Sequence, residues 1–311
     1  MSRVEPVMRH LLDIESLSDR ELTWLVQRAV ALANGAAPSV LGKTVVNLFF
    51  EPSTRTRVSF ELAAQRLGIS VINIELERSS STKGESLDDT AATLAAMGVD
   101  VLIVRHPETG RCHRLAAGLG ADLHLLNAGD GSGHHPSQAL LDAATLSVAG
   151  THPVNARVAI VGDIVHSRVA RSAMALFPRL GARAVRIAGP AALLPDSLPN
   201  GVQRVDSLAD AVRDADVIMM LRIQHERMDR QAWPDRASYH AEWGLQEYHL
   251  ELAAAHCRVL HPGPINRGVE IASAVADGPH SAILDQVRMG VFARMAIFEW
   301  LFSAAGSDGL F

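Results

Sequence analysis

Short apolar runs separated by amphipathic stretches set the rhythm of the chain. Residues 43–50 (KTVVNLFF) are mostly apolar, the pattern of a buried strand. Phe60, Ala63, Ala64 and Leu67 follow at i, i+3, i+4, i+7 spacing, one stripe of a helix that Gly68 stops. The same alternation predicts further strands over 70–76, 100–105, 122–127, 157–162, 183–188, 217–221 and 258–260. It predicts helices over 86–97, up to about 119, over 136–148, over 167–180 and roughly over 281–302. Ahead of them all, Ser18-Asp-Arg-Glu21 reads as a capping box opening a helix that ends near Gly35. Residues 77–85 read as a polar loop, and GDGSG at 129–133 as a glycine-rich one.

Alternating strands and helices imply an α/β protein built from parallel sheets covered by helices on both faces. With 311 residues the chain is long enough for two such doubly wound domains, meeting near residue 150. Composition adds exclusions. The net charge of −5 argues against a general nucleic-acid binder but leaves room for local basic pockets. Cys112 and Cys257 are far apart and in no CxxC pair, so neither a disulfide framework nor a cysteine-rich zinc site is expected. MSRVEPVMRHLLDIE has no apolar core of a signal peptide, and no apolar run is long enough to cross a bilayer. The expectation is a soluble cytoplasmic protein with no membrane or nucleic-acid partner.

In open α/β sheets, ligands bind beyond the carboxyl ends of the strands, so the residues just after each strand are the first candidates. After the first strand comes Glu51-Pro-Ser-Thr-Arg-Thr-Arg57. With Ser53 as the cap, Thr54, Arg55 and Thr56 form the first helical turn, whose backbone N–H groups lack intrahelical partners and face a positive dipole end. That suits a phosphate, with Arg55 turned to it and Arg57 left to structure or a second pocket. Spacing alone leaves an ordinary capped helix start with solvated arginines equally open. Gly42-Lys43-Thr44 imitates the end of a P-loop but precedes its strand, and residue 37 is Ala where that motif needs Gly.

Arg105 follows the third strand. After the fourth, Pro136 suits the first helical position, placing His135 at the cap and Gln138 two residues further in, both able to donate to a carbonyl oxygen. A lone histidine there is also an ordinary local cap. Arg168, Arg222 with Gln224, and His261-Pro-Gly-Pro264 with Arg267 follow later strands. Arginine after most strands of an acidic chain points to substrates with several negative charges. No HExxH, GxSxG, DxDxDG or GxGxxG signature is present, so neither a metal nor a dinucleotide cofactor is expected.

S-T-R-T-R at 53–57, H-P-S-Q at 135–138 and H-P-G-P at 261–264 together resemble the aspartate/ornithine carbamoyltransferases, and the resemblance covers essentially the whole chain. Arg222-Ile-Gln-His-Glu-Arg227 is similar to the R-x-Q-x-E-R of the aspartate-specific members. An ornithine-specific member is expected to carry S-M-G and H-C-L-P, but residue 262 is Pro and S-M-G is absent. The resemblance implies transfer of the carbamoyl group of carbamoyl phosphate to the amine of L-aspartate, the committed step of pyrimidine synthesis, with no cofactor and the active site in the cleft between the two domains. It implies a carbamoyl-phosphate-binding domain over 1–150, with a C-terminal helix at about 286–311 packing back on it, and an aspartate-binding domain over 151–285.

The same resemblance implies that Ser53, Thr54, Arg55, Thr56 and Arg105 hold the phosphate, and that Thr56, Arg105 and His135 bond the carbamoyl oxygen. Gln138 and the carbonyls of Pro262 and Gly263 would hold the carbamoyl NH₂. Arg168, Arg222, Gln224 and Lys83 would hold aspartate, with Ser79 and Lys83 supplied by a neighbouring subunit. Glu51 with Arg168 and Arg227 would bridge the domains, and Gly263–Pro264 would be cis. A shared site implies at least a homotrimer, and assembly into a dodecamer with a dihydroorotase-like or a regulatory chain is the further form. HPGP followed by INRGVEI departs from the Leu expected after HP and resembles chains that assemble with the dihydroorotase-like partner. Two rivals are a carbamoyltransferase for another amino acid such as ornithine, and a non-catalytic scaffold of the same fold.

Overall fold

The computed structural model describes residues 9–74, 85–120, 123–224 and 235–303. It divides into two compact units, Met1–Leu141 with Met289–Phe311, and Asp142–Arg288. In chain order the first unit carries α1 (Asp19–Ala33), β1 (Thr44–Phe49), α2 (Thr54–Arg66), β2 (Ser70–Asn73), α3 (Leu87–Ala96), β3 (Val101–His106), α4 (Arg111–Gly118), β4 (His124–Asp130) and the start of α5 (Pro136–Val148). The second carries β5 (Arg157–Val161), α6 (Arg168–Arg179), β6 (Ala184–Ala188), β7 (Val202–Arg204), α7 (Leu208–Val212), β8 (Val217–Met220), α8 (Arg236–Trp243), α9 (Glu247–Leu250), β9 (Arg258–Leu260) and α10 (Ser273–Ala276). The chain returns to the first unit within α11 (Ile283–Phe302).

Both sheets are wholly parallel. Their orders are β2-β1-β3-β4 and β7-β6-β5-β8-β9. Each is doubly wound, because the strand order reverses once: between β1 and β3 in the first sheet, and between β5 and β8 in the second. The central strands are apolar on both faces. Val46 and Leu48 of β1 pack with Leu102 and Val104 of β3, Leu115 of α4 and Leu125 of β4 in one cluster of the first unit. Val161, Ile218, Met220 and Val259 do the same in the second, against Trp243 and Leu245. The first unit is closed by α11, whose Glu299 takes Arg28 of α1 at 2.5 Å and whose Trp300 indole donates to Glu21 at 3.1 Å.

The strands and long helices read from the apolar pattern stand where the pattern placed them, with shifts at their ends. The capping box of α1 is formed, Ser18 N–H to Glu21 at 2.9 Å and Glu21 N–H to the Ser18 hydroxyl at 3.3 Å. β4 runs to Asp130, two residues into the predicted glycine-rich loop, because a register shift opposite Val104/His106 lets Asp130 pair with His106. β7 and α7–α10 escaped the pattern: elements of three to eight residues span too little of a period to register.

Candidate active site

The reversal point of the first sheet lies between β1 and β3, and the candidate anion residues follow those two strands. α2 begins at Thr54 with Ser53 one residue ahead, as the spacing predicts, but the Ser53 side chain makes no capping bond. Its hydroxyl is therefore not committed to the helix start. Arg55 is exposed and Thr56 buried. Arg57 is tied to structure: its Nε meets Glu61 Oε1 and Asn73 Oδ1, each at 3.2 Å. Arg105, near the end of β3, is 14% exposed and donates from Nη1 to the Ala128 carbonyl at 3.2 Å, with Nε 3.3 Å from Glu51 Oε2. Two strand ends of one sheet thus carry a helix N-terminus and a positioned guanidinium side by side. Burial, the largest cause, holds the neighbouring His106 imidazole below the ordinary histidine range.

The β4–α5 loop adds the next pair. Pro136 opens α5, and the His135 carbonyl accepts the Gln138 N–H at 2.9 Å. The side chains of His135 and Gln138 are both buried at this helix start, and the Ser137 hydroxyl lies 3.5 Å from His135 Nδ1. The loop is set by Asp130, which is fully buried. Its Oδ1 accepts from His134 N–H at 2.8 Å and Asn127 Nδ2 at 2.9 Å, and its Oδ2 from Gly110 N–H at 2.7 Å. Arg294 of α11 reaches the Ser137 hydroxyl at 3.3 Å and lies over the Phe60 ring at 4.7 Å.

In the second unit the reversal point between β5 and β8 is again where candidates gather. Arg168 is the first residue of α6 and is 5% exposed, with Ser167 capping the helix by accepting the Ala170 N–H at 3.1 Å. Arg222 and Gln224 follow β8. A second buried carboxylate organises these loops: Asp163 takes His166 Nδ1 at 2.8 Å through Oδ1 and the Gln224 N–H at 3.0 Å through Oδ2. Beside it, burial pushes the Tyr239 hydroxyl well above the ordinary phenol range, with the charges of Glu270 and Asp163 adding to the shift.

The loop after β9 contains the cis Gly263–Pro264 bond that the resemblance implies. His261 is its anchor. Its Nδ1 accepts the Gly263 N–H at 2.8 Å, which leaves the ring proton on Nε2 to donate to Glu270 Oε1 at 3.0 Å. Glu270 also accepts the Asn266 N–H at 2.7 Å, and the His261 N–H donates to Gln286, which in turn donates to Asp142 at 2.7 Å. These bonds define where the Pro262 and Gly263 carbonyls lie.

Ser79, Lys83 and Arg227 fall outside the described residues. Within the described ones, the structure brings Ser53, Thr54, Arg55, Thr56, Arg105, His135 and Gln138 to the carboxyl-end loops of the first sheet. It brings Arg168, Arg222, Gln224, Pro262 and Gly263 to those of the second. The residues that sequence reasoning passed over are the carboxylates that hold these loops, Asp130, Asp163 and Glu270. Their one signal is an acidic residue next to an apolar run, as in Val161-Gly-Asp163. Cys112 and Cys257 are both buried, and burial pushes the Cys257 thiol up to about 12, so Cys257 offers no thiolate nucleophile.

Comparisons with known proteins show what the chain is similar to. The family described as aspartate/ornithine carbamoyltransferase, carbamoyl-P binding domain, matches residues 9–147, and the corresponding Asp/Orn binding domain matches 154–301. The aspartate carbamoyltransferase catalytic subunit of Sorangium cellulosum is 49% identical over 99% of this chain and 97% of its own. That of Bartonella tribocorum is 49% identical over 94% and 92%. Aspartate transcarbamoylase from Trypanosoma cruzi, in a crystal structure with carbamoyl aspartate and phosphate, superposes with a TM-score of 0.84 at 30% identity, covering 97% of this chain and 98% of that one. The same protein with carbamoyl phosphate gives 0.83. The chain belongs to the aspartate/ornithine carbamoyltransferase family.

Proposed function

We propose that the chain transfers the carbamoyl group of carbamoyl phosphate to the amine of L-aspartate, giving N-carbamoyl-L-aspartate and phosphate. The observation that carries this reading is the pairing of donors with reversal points. A helix N-terminus with Arg55 and Arg105 stands at the first, suited to a phosphate, and Arg168, Arg222 and Gln224 stand at the second, suited to a dicarboxylate. An ornithine site needs an anion for the side-chain amine, whereas Arg222 and Gln224 offer donors.

Carbamoyl phosphate is already activated, so no covalent catalyst is required. The neutral amine attacks the carbonyl carbon, a C–N bond forms, and the π electrons move to oxygen. Thr56, Arg105 and His135 donate to that developing oxyanion, each such donor contributing about 10²–10³ in rate. Gln138 and the carbonyls of Pro262 and Gly263 orient the NH₂ group. Collapse breaks the C–O bond to phosphate, which leaves with the amine proton. Holding both substrates in line supplies much of the remaining acceleration. The reading includes a homotrimer in which Ser79 and Lys83 of a neighbouring subunit complete the site, and a cytoplasmic location.

The test is carbamoylation by the purified chain with carbamoyl phosphate and either L-aspartate or L-ornithine. Turnover with aspartate alone is the expected result, and turnover with ornithine overturns the roles of Arg222 and Gln224. Silence with both overturns catalysis by the chain on its own. For the shared site, mixing Arg55→Ala and Lys83→Ala chains restores part of the activity lost in each. Confirmed mixed trimers without restoration count against it.

A further inference from the structure

Four potential ligands from three separate segments, Asp13 with Glu15, His113 and His134, come together on the first unit. One ligand atom each from Asp13, Glu15 and His134 lies within 4.8 Å of the others. His134 Nδ1 is buried and makes no hydrogen bond, and Glu15 Oε2 stands 3.7 Å from it. That separation is too long for a hydrogen bond. It is close to the roughly 3.3 Å between two donors that share a tetrahedral ion at about 2.0–2.1 Å. His113 Nε2 lies 2.6 Å from Asp13 Oδ2 and donates to it, so the Asp13 carboxylate is held from behind by an imidazole.

The segments carrying these groups are fixed to one another before any ligand arrives. Asp130 binds the backbone of His134 and of Gly110, the residue just before α4, which carries His113. Asn127 Nδ2, bonded to the same carboxylate, also donates to the Leu12 carbonyl at 2.8 Å, beside Asp13. Leu11 bridges β4 through Leu11 N–H to Leu125 and Asn127 N–H to Leu11, both at 2.9 Å. Asp13 is itself held in place: its Oδ2 takes the bond from His113, and its Oδ1 accepts the Ser16 N–H at 2.6 Å.

Two plain ion pairs, Asp13–His113 and Glu15–His134, are the alternative. The first is well made, but the second leaves a buried imidazole nitrogen without a hydrogen bond, a costly state that a cation removes. The geometry points to a site for a divalent transition ion of the zinc class, ligated by His134 Nδ1, Asp13 and Glu15, with His113 orienting Asp13. A nitrogen among carboxylate oxygens favours such an ion over magnesium or calcium, which take oxygen alone. Three protein ligands leave a position to water. Because His134 adjoins His135, a bound ion stiffens the β4–α5 loop.

The site stands independently of carbamoyl transfer, and its test needs no turnover. The full chain, stripped with a chelator, is dialysed against ZnCl₂ in excess Mg²⁺ and the retained zinc is counted. Expected is one Zn²⁺ per chain and a zinc-dependent rise in Tm. Affinity falls at least about 10–100-fold in Asp13→Asn and His134→Gln, and about tenfold in His113→Gln. Glu15→Gln, at an exposed side chain, weakens binding with the zinc-free Tm unchanged, which separates ligation from misfolding. No retained zinc, or parent-like affinity in both Glu15→Gln and His134→Gln, overturns the proposal.

Discussion

Ser18 and Ser53 each stand one residue ahead of a helix, but only Ser18 caps it. Ser18→Ala is expected to cost about 1 kcal/mol in thermal or denaturant unfolding. Ser53→Ala is expected to leave unfolding unchanged and to raise KM for carbamoyl phosphate. Loss of stability on Ser53→Ala would return Ser53 to a structural role. Arg105 is held by Ala128 and Glu51 in an orientation set before substrate arrives. Its replacement by Ala should lower kcat about 10²–10³-fold while circular dichroism stays parent-like, as does removal of a single oxyanion donor. These residues were legible in sequence from local pattern: Ser18 from its capping-box spacing, Ser53 and Arg105 from their place at the end of an apolar run. The carboxylates that hold the site loops, Asp130 and Asp163, were not, since each also takes an N–H from a loop distant in sequence, that of Gly110 and that of Gln224.

At the scale of elements, the crossing from strand to helix is where backbone space is tightest. Gly162 ends β5 with φ +126°, and a Cβ there would meet the Leu221 carbonyl oxygen, just past β8, at 2.4 Å. Gly162→Ala is therefore expected to destabilise the chain by about 2–4 kcal/mol through overlap and backbone strain. It should also disturb Gln224, whose N–H is held by Asp163 one residue along. Urea unfolding of the variant measures the first effect, and KM for aspartate the second. The β9 loop is built on another logic, a buried His261–Glu270 pair that takes up the N–H groups of Gly263 and Asn266. Nothing in the HPGP spelling discloses Glu270 as its partner, because a hairpin-sized segment separates them.

For the molecule as a whole, pH acts through half-buried histidines whose charging is disfavoured by burial. His10 and His124 both lie below the ordinary value of 6.5, chiefly because burial penalises the charged ring. His10 Nδ1 accepts the Leu125 N–H at 3.0 Å, a bond that protonation removes. With folded pKa values below the unfolded ones, the unfolded chain binds more protons between 6.5 and the folded values, so stability falls as the pH falls through that window. Calorimetry between about pH 7 and about pH 5.5 should record a falling Tm, and His124→Gln should flatten the slope. The lowered carboxylates Asp13 and Glu21 act in a more acid range and do not mimic this. Among the described residues, no helix is long and apolar enough to cross a membrane.

Sequence by itself determined the α/β alternation, the long helices, the central strands and the donors that follow them. Each of these depends on contacts within one short stretch: apolar period, cap and strand end. The order of strands in each sheet was decided only by tertiary structure, and with it the reversal points at which β1 neighbours β3 and β5 neighbours β8. So were the buried carboxylates that hold the loops, and the meeting of Asp13, Glu15, His113 and His134. Those groups share no local pattern, because their positions follow from the pairing of segments about a hundred residues apart, and periodicity does not reach across such a distance.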